Sequence, residues 1–389
     1  LLARPLMMLA NSGGDPEAVA LGTSYLRILF LGTPFLILNI VCNRLMQGAG
    51  DTVTPLFLTA AINLLNIGLN ALFIFGPGPL PAYGVDGAAM GTVVSRGIGL
   101  VAVLALFYSG RNVVKILPGS YRPQWQMFAD ILAIGVPSGI QGLFRNGSRL
   151  LVISIVTSTE IGTYGAAALA IGLQVESLAF MPVLGINVAA TSLVGQALGA
   201  WQVRRAQQSG NSAILLGILI MGVLITPMIL LAPRIISLFD PSAHPTVMTA
   251  GTAYLRINTV MLPMAAIAMV ANGALRGAGD TLPAMFSTLM TRGVVSVCLA
   301  WLFAFPLGLG SSGVWYALAV GIALDGILLG LRWRSTAWVG VALHRTELYR
   351  KHLQFLDEAV QQQFLTDIRA PCMAQPGVQE RVEADQVVY

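Results

Sequence analysis

The sequence predicts an all-α polytopic membrane protein whose helices form two lobes. Three observations predict this fold class. Of the 389 residues, 56% are hydrophobic and only 10% are charged, the apolar residues lie in long stretches, and one segment of the chain recurs later in the sequence. A soluble domain of average composition carries about 25% charged residues. The composition therefore excludes an ordinary soluble protein.

Nine stretches are apolar and long enough to cross a bilayer, which takes about 20 residues in a helix. They lie near 25–46, 54–75, 84–109, 128–157, 162–199, 212–233, 251–275, 283–306 and 312–333. The 42 glycines and 20 prolines suit membrane helices, because neighbouring helices satisfy an interrupted backbone and small residues permit close packing. No stretch alternates apolar and polar residues as a membrane β-barrel strand does. The spans are therefore predicted to be helices.

The recurring segment indicates a duplicated unit. Residues 22–52 return without a gap 229 positions later as 251–281, and 14 of the 31 aligned positions are identical. Both copies carry Tyr-Leu-Arg-Ile and end in Gly-Ala-Gly-Asp-Thr, and their glycines suit a helix C-terminus whose Asp-Thr caps the next helix. Two related helical bundles are the internal-repeat plan of many secondary transporters.

The repeat also predicts which helices precede each copy. Three apolar stretches precede the second copy, at 128–157, 162–199 and 212–233. At the same offset, their counterparts would begin about 100 residues before Leu1. We therefore expect the chain to be a fragment that lacks the first three helices of its first lobe.

The repeat and the charge pattern divide the chain into four parts. These are an incomplete first lobe at 1–110, a cytoplasmic loop between the lobes at 111–127, a second lobe at 128–338 and a cytoplasmic tail at 339–389. With that loop inside, nine basic residues near span ends fall on the cytoplasmic side and two outside, as the positive-inside rule requires. In the tail, residues 344–368 predict an amphipathic helix, followed by a disordered end.

Several classes of function find no support in the residues. Cys42, Cys298 and Cys372 have no metal-ligand spacing, so we expect neither a metal site nor a disulfide. The phosphate-binding GxxxxGK[ST] pattern and the common catalytic constellations are absent. Basic residues are spread over short loops rather than gathered in one patch, which disfavours nucleic acid. We expect no enzyme activity and no cofactor.

Seven motifs occur in order along the chain. They are QGAGDT at 47–52, NLLNIGLNALFIFG at 63–76, GVDGAAMGTVVSR at 84–96, GVPSGIQ at 135–141, NVAATSLVGQALGA at 187–200, GALRGAGDT at 273–281 and SGVWYALAVGIALDG at 312–326. Through them, residues 1 to about 338 resemble the MATE (multidrug and toxic compound extrusion) family. The resemblance implies twelve helices in two six-helix lobes, of which this chain would hold nine.

The resemblance also implies an activity. A MATE protein is a multi-pass antiporter of the cell (inner or plasma) membrane that exports small amphipathic organic substrates in exchange for protons or sodium ions. We expect a monomer in the lipid bilayer, with a cytoplasmic C-terminal tail. Such coupling requires an ionisable group in a low-dielectric site, where cation and substrate exclude each other.

In the first lobe, Asn63, Asn66 and Asn70 share one helix face. Amides in lipid need partners, so this face is predicted to point into the bundle. The three amides either line a cavity or tie helices together. The resemblance implies that the position of Asn70 can be an Asp in proton-coupled relatives.

In the second lobe, Gln141, Arg145 and Arg149 follow each other at four-residue steps. A guanidinium at the bilayer centre costs at least ~2.5 kcal/mol, so the two arginines should face protein or water. They either hold an anionic group of the substrate or pair with an acid. Some relatives carry acids near Arg145 and near Ala265, and this chain has neither.

Glu176 is the one carboxylate deep in its span, and Gln174 lies nearby. We expect Glu176 to be the coupling or substrate carboxylate of the second lobe, or else the static partner of Arg145. Asp325 falls at the repeat position of Arg96. These two residues are expected to serve helix packing or salt bridges rather than ligand binding.

Two alternatives stay open at this point. A lipid-linked oligosaccharide flippase of the same superfamily shares the two-lobe plan, and embedded arginines would suit its phosphate group. A non-transporting membrane scaffold is the other alternative, although it has no need for polar stripes on helix faces.

Overall fold

The protein is helical throughout the part of the chain that a computed structural model describes, which is residues 3, 16–76, 81–110, 113–114, 125–240 and 244–353. These residues contain no strand. The helices are α1 Pro16–Gly48, α2 Val53–Phe75, α3 Gly84–Tyr108, α4 Trp125–Thr157, α5 Gly162–Gly199, α6 Val203–Leu230, α7 Ala232–Phe239, α8 Pro245–Thr259, α9 Leu262–Gly277, α10 Thr281–Ala304, α11 Gly310–Arg334 and α12 Ala337–Leu353. The all-α prediction is confirmed.

Most of the predicted spans coincide with helices that suit a bilayer. Within the described residues, seven helices are long and apolar enough to cross a membrane, namely α1, α2, α3, α5, α6, α10 and α11. An eighth span is broken, because α8 and α9 meet at a bend of 58°. The ninth prediction falls on α4, which has 33 residues but carries Asp130, Arg145 and Arg149. The total of nine spans, and the helices expected ahead of Leu1, stay predictions.

The two lobes have separate apolar cores. In the first lobe, α1 and α2 pack against α3, and the core includes Cys42, Met46 and Phe107. In the second lobe, α5 lies against α6, α8 and α9, and α11 packs against both halves of the broken span. The largest core cluster of that lobe contains Tyr254 and Trp315.

The helix that leads into the tail, α12, packs on the second lobe. Trp338 of α12 stacks on Trp333 with ring centroids 4.5 Å apart, and its indole N–H donates to the carbonyl of Trp333 at 2.9 Å. The predicted helix at 344–368 therefore begins earlier, at Ala337. Its part beyond Leu353, the predicted disordered end and most of the loop at 111–127 lie outside the described residues.

The two Gly-Ala-Gly-Asp-Thr turns end their helices in the same way. Gly50 and Gly279 have φ values of 93° and 77°. The amides of Asp51 and Asp280 donate to carbonyls five residues back, both at 2.9 Å, as in a Schellman motif. The predicted helix ends are thus confirmed in both copies.

The predicted capping role holds for one aspartate only. Asp51 accepts the amide of Thr54 at 3.0 Å. Asp280 makes no such cap, because its carboxylate pairs with Arg332 of α11 at 2.8 Å. The repeat position of Arg332 is Val103, so the first lobe has no equivalent cation. The capping prediction was therefore wrong for Asp280.

Helix α5 runs parallel to the broken span α8–α9 in a constant register. A Cβ on Gly172 would lie 2.2 Å from the ring of Tyr254, so only glycine admits the ring. Further along, Asn187 donates to the carbonyl of Met269, and Thr191 donates to that of Gly273 at 2.9 Å. Each partner lies 82 positions after its α5 residue. The register therefore holds on both sides of the bend.

Candidate functional site

Glu176 of α5 is a buried carboxylate with an incomplete set of partners. The residue is 6% exposed, and the Tyr254 side chain forms a hydrogen bond with it. The charges of Arg292 and Arg149 also act on it. Its Oε1 atom has no hydrogen-bond partner among the described residues. Since an unsatisfied buried carboxylate is costly, this atom marks a place where a proton or cation would be favourable.

The helix α8 that carries Tyr254 holds further buried polar side chains. The Tyr254 ring meets Trp315 edge-on, with centroids 5.1 Å apart. One turn after Tyr254, Asn258 donates to the Tyr254 carbonyl at 3.3 Å. Asn258 and Thr259 are buried, and their side-chain oxygens have no partner in the described structure.

Sequence reasoning did not select Tyr254, Asn258 or Arg292 as site residues. Asn258 carried a usable signal, because it is a polar residue inside an apolar span. In the sequence Tyr254 stands out only as part of the repeat, and nothing there places Arg292 near Glu176.

A second polar network joins α4, α9, α10 and α11. The amide of Gln141 donates to Thr288 at 2.8 Å and accepts from Arg276 at 2.8 Å. Asp325 accepts from Ser287 at 3.2 Å and faces Arg292 at 3.6 Å. Arg292 lies in a π-helical segment, Leu289–Val295, a distortion that is frequent at functional sites. Asp325 is thus a salt-bridge residue, and Gln141 is a link between helices.

The arginines of α4 are not buried with Gln141. Gln141 is buried, whereas Arg145 and Arg149 are exposed. Neither arginine forms a salt bridge with a described residue, so the proposed ion pair between Glu176 and Arg145 is absent. Gln174 is exposed and lies two residues from Glu176, so the two side chains do not share a helix face.

In the first lobe, two of the three asparagines form a network between α2 and α3. Asn66 and Asn70 bond each other at 3.3 Å and 3.5 Å. Asn66 also donates to Thr92 at 3.4 Å and to Ser95 at 3.3 Å. Asn63 is exposed and takes no part in these bonds. The pattern favours the reading in which amides tie helices together.

The repeat partner of Asp325 also lies in this lobe. Arg96 is half-buried, and its carbonyl accepts a hydrogen bond from Asn39 of α1 at 2.8 Å.

The two lobes meet where α5 touches the end of α1. Ser192 donates to the carbonyl of Gln47 at 2.7 Å. Gln196 donates to the carbonyl of Gly48 at 3.0 Å and to the Ser192 hydroxyl at 3.0 Å. The neighbouring residue Thr191 faces the other way, towards α9. Helix α5 therefore contacts both copies of the repeated segment, one on each side.

Two helical lobes from an internal repeat, with buried polar sites inside apolar helices, define a multi-pass membrane transporter. The MatE family model matches residues 4–72 and 137–302. The probable multidrug resistance protein NorM of Thermotoga maritima is 30% identical over 335 residues, which cover 84% of this chain and 69% of that protein. The chain belongs to the MatE family.

Solved structures agree with this assignment. A MOP superfamily transporter from Pyrococcus furiosus superimposes with a TM-score of 0.80 at 26% identity, over 87% of this chain and 74% of that one. An outward-facing multidrug resistance MATE family transporter gives 0.79 at 26% identity, over 85% of this chain and 72% of that one. The resemblance predicted from the motifs is thus confirmed.

Proposed function

We propose that the protein is a secondary antiporter that exports small organic compounds in exchange for protons or sodium ions. The observation that carries this proposal is Glu176, a buried carboxylate with an unpartnered oxygen between helices of the second lobe. The names of relatives such as the Thermotoga maritima protein support multidrug export.

The geometry suggests how coupling would work. An empty, ionised Glu176 is costly in a low-dielectric interior, so a cation that enters from outside stabilises it. Arg149, whose charge acts on Glu176, is exposed on α4. The occupied and the ionised Glu176 then favour different arrangements of the lobes, and alternating access follows from rocking of one lobe against the other.

The contact between α5 and α1 would hold the cytoplasmic side closed. We expect the double variant Ser192→Ala, Gln196→Ala to shift the lobes towards the state open to the cytoplasm. Each lost hydrogen bond contributes about 1 kcal/mol, so two of them shift the equilibrium by roughly tenfold or more. The distance between spin labels at Arg44→Cys and Arg204→Cys, in a chain without its native cysteines, measures this shift.

The matched control for this prediction is Thr191→Val. It removes a comparable hydrogen bond from the residue of α5 that precedes Ser192, but that bond lies within the second lobe. The control should keep the native distance distribution. A double variant with the same distance distribution as the native chain would contradict a closing role for the contact between α5 and α1.

An anionic substrate is the second candidate. Arg145 and Arg149 are exposed and have no salt bridge with the part of the chain that the structure describes, so they are available to a phosphate or carboxylate group. The printed description of the Pyrococcus furiosus relative states that reversed polarity of its binding pocket suggests a different function for that protein. This observation keeps a flippase of phosphate-linked lipids as the alternative.

Two cell assays separate the candidates. Expression of the full chain in cells without their own multidrug pumps is expected to lower the accumulation of cationic dyes. It is not expected to rescue cells that lack a flippase for cell-wall precursors. Rescue without dye export would establish the alternative, and neither effect would favour a non-transporting scaffold.

A further inference from the structure

We propose that Arg44, Arg145 and Arg276 form a binding site for a phosphate group where the two lobes meet, near the ends of α1 and α9. The headgroup of an anionic phospholipid supplies this group, and soluble phosphate is the other source of the same chemistry. The site is independent of the proposed antiport, since it needs neither Glu176 nor an ion gradient.

Helix α5 brings the ends of α1 and α9 to the same level. Ser192 donates to the carbonyl of Gln47, next to the last residue of α1, at 2.7 Å. The neighbouring Thr191 packs so closely on Gly277, the last residue of α9, that a Cβ there would meet its backbone. Adjacent residues of one helix therefore contact the ends of α1 and α9, one from each lobe.

An arginine lies near each of these helix ends, and α4 supplies a third. Arg44, one turn before the end of α1, is exposed. Arg276 of α9 donates to Gln141 of α4 at 2.8 Å. Arg145 follows Gln141 by four residues, so the two share a helix face. The charges of Arg145 and Arg44 both act on Arg276, and three positive charges from two lobes thus gather at the lobe boundary.

This cluster has no counter-charge in the part of the chain that the structure describes. The salt bridges there join Arg292 to Asp325 and Arg332 to Asp280, and neither involves the three clustered arginines. The Nε atom of Arg276 is buried and has no hydrogen-bond partner among the described residues. Since a buried cation without a partner is costly, the cluster is incomplete without an anion.

The chemistry of the donors selects the ligand. Guanidinium groups bind oxyanions through paired N–H donors. A phosphate group offers oxygens to several such donors at once, whereas a carboxylate has only two oxygens. The ends of α1 and α9 lie on the predicted cytoplasmic side, and basic pockets between transmembrane helices on that side bind lipid headgroups.

A phosphate bound here links the two lobes. Arg44 belongs to the first lobe, and Arg145 and Arg276 belong to the second. The anion offsets their mutual repulsion only while the ends of α1 and α9 lie together against α5. The ligand therefore stabilises the arrangement in which α5 contacts α1.

The test is the thermal unfolding of the purified full chain in a neutral detergent. Dioctanoyl phosphatidylglycerol is compared with dioctanoyl phosphatidylcholine, and sodium phosphate with sodium chloride at equal ionic strength. A ligand that binds only the folded protein raises the unfolding temperature, so phosphatidylglycerol is expected to raise it and phosphatidylcholine is not. Arg44→Gln and Arg145→Gln should each lower the apparent affinity for phosphatidylglycerol about tenfold, the effect of losing one hydrogen bond to a charged group.

Two further variants serve as controls. Arg204 is an exposed arginine at the start of α6 with no salt bridge in the described structure, and Arg204→Gln should keep the native response. Arg44→Lys keeps the charge without the paired donors and should retain part of the affinity. Without added anion, Arg44→Gln is expected to unfold at the native temperature or above it, because it removes one of three like charges.

The outcomes separate the two sources and expose an error in the site. A response to phosphate but not to phosphatidylglycerol would assign the site to a soluble ligand. Equal effects of both lipids and of both salts would overturn it, as would a phosphatidylglycerol response that survives Arg44→Gln and Arg145→Gln. Either result leaves the proposed antiport unaffected, because that proposal depends on Glu176.

Discussion

Replacement of Glu176 by Gln is expected to reduce dye export to the level of cells without the protein. Glutamine keeps the shape of the side chain and a hydrogen-bonding group for Tyr254, but it cannot ionise. The carboxylate is the group whose occupancy by a cation would be coupled to the substrate. The variant should therefore fold and insert normally while it loses coupled export. Cellular dye accumulation, compared at equal amounts of membrane-inserted protein, measures the loss.

Glu160→Gln is the matched control for this substitution. Glu160 lies just before α5 and is exposed, and its carboxylate faces the start of α11. The same chemical change at this position should leave export close to that of the native chain. Undiminished export by the Glu176 variant would remove the carboxylate from the coupling mechanism.

The second large effect is expected from Gly277→Ala, which should lower the thermal unfolding temperature and the yield of folded protein. A Cβ at this position would lie 2.4 Å from the carbonyl oxygen of Thr191 and 3.2 Å from its Cα. These are backbone atoms of α5, so no side-chain rotation relieves the clash and the helices must move apart. Overpacking of this kind typically costs about 1–3 kcal/mol.

The repeat supplies the control for that variant. Gly48 stands at the equivalent position of the first copy, and a Cβ there would meet no atom within 4 Å. Alanine is also favoured over glycine in a helix by about 1 kcal/mol. Gly48→Ala should therefore be neutral or slightly stabilising. Equal unfolding temperatures for the two variants would contradict the close packing of α9 on α5.

Much of the fold was predictable because it depends on local patterns. Long apolar stretches predicted eight of the spans. Gly50 and Gly279 predicted helix ends, because only a residue without a Cβ readily adopts a positive φ. The role of Asp280 could not be predicted from its local sequence. Its sequence context matches that of Asp51, but its carboxylate forms a salt bridge with Arg332 of α11, a helix that is distant in sequence.

The site was predictable in part for a related reason. Glu176 stood out because a lone carboxylate deep in an apolar span requires an explanation. Its neighbours depend on how the helices pack. The sequence suggested Arg145 as its partner, whereas the structure leaves Arg145 exposed and brings the charges of Arg149 and Arg292 to the carboxylate. Tyr254 and Asn258 reach the site through the register between α5 and the broken span.

The most direct test of coupled export measures dye movement in proteoliposomes that contain the full chain and no ATP. With a proton or sodium gradient imposed across the membrane, dye is expected to move against the direction of ion flow, and this movement should cease when an ionophore collapses the gradient. Liposomes with the Glu176→Gln variant should show no gradient-driven movement. Dye movement by the native protein that is the same with and without an ion gradient would contradict antiport.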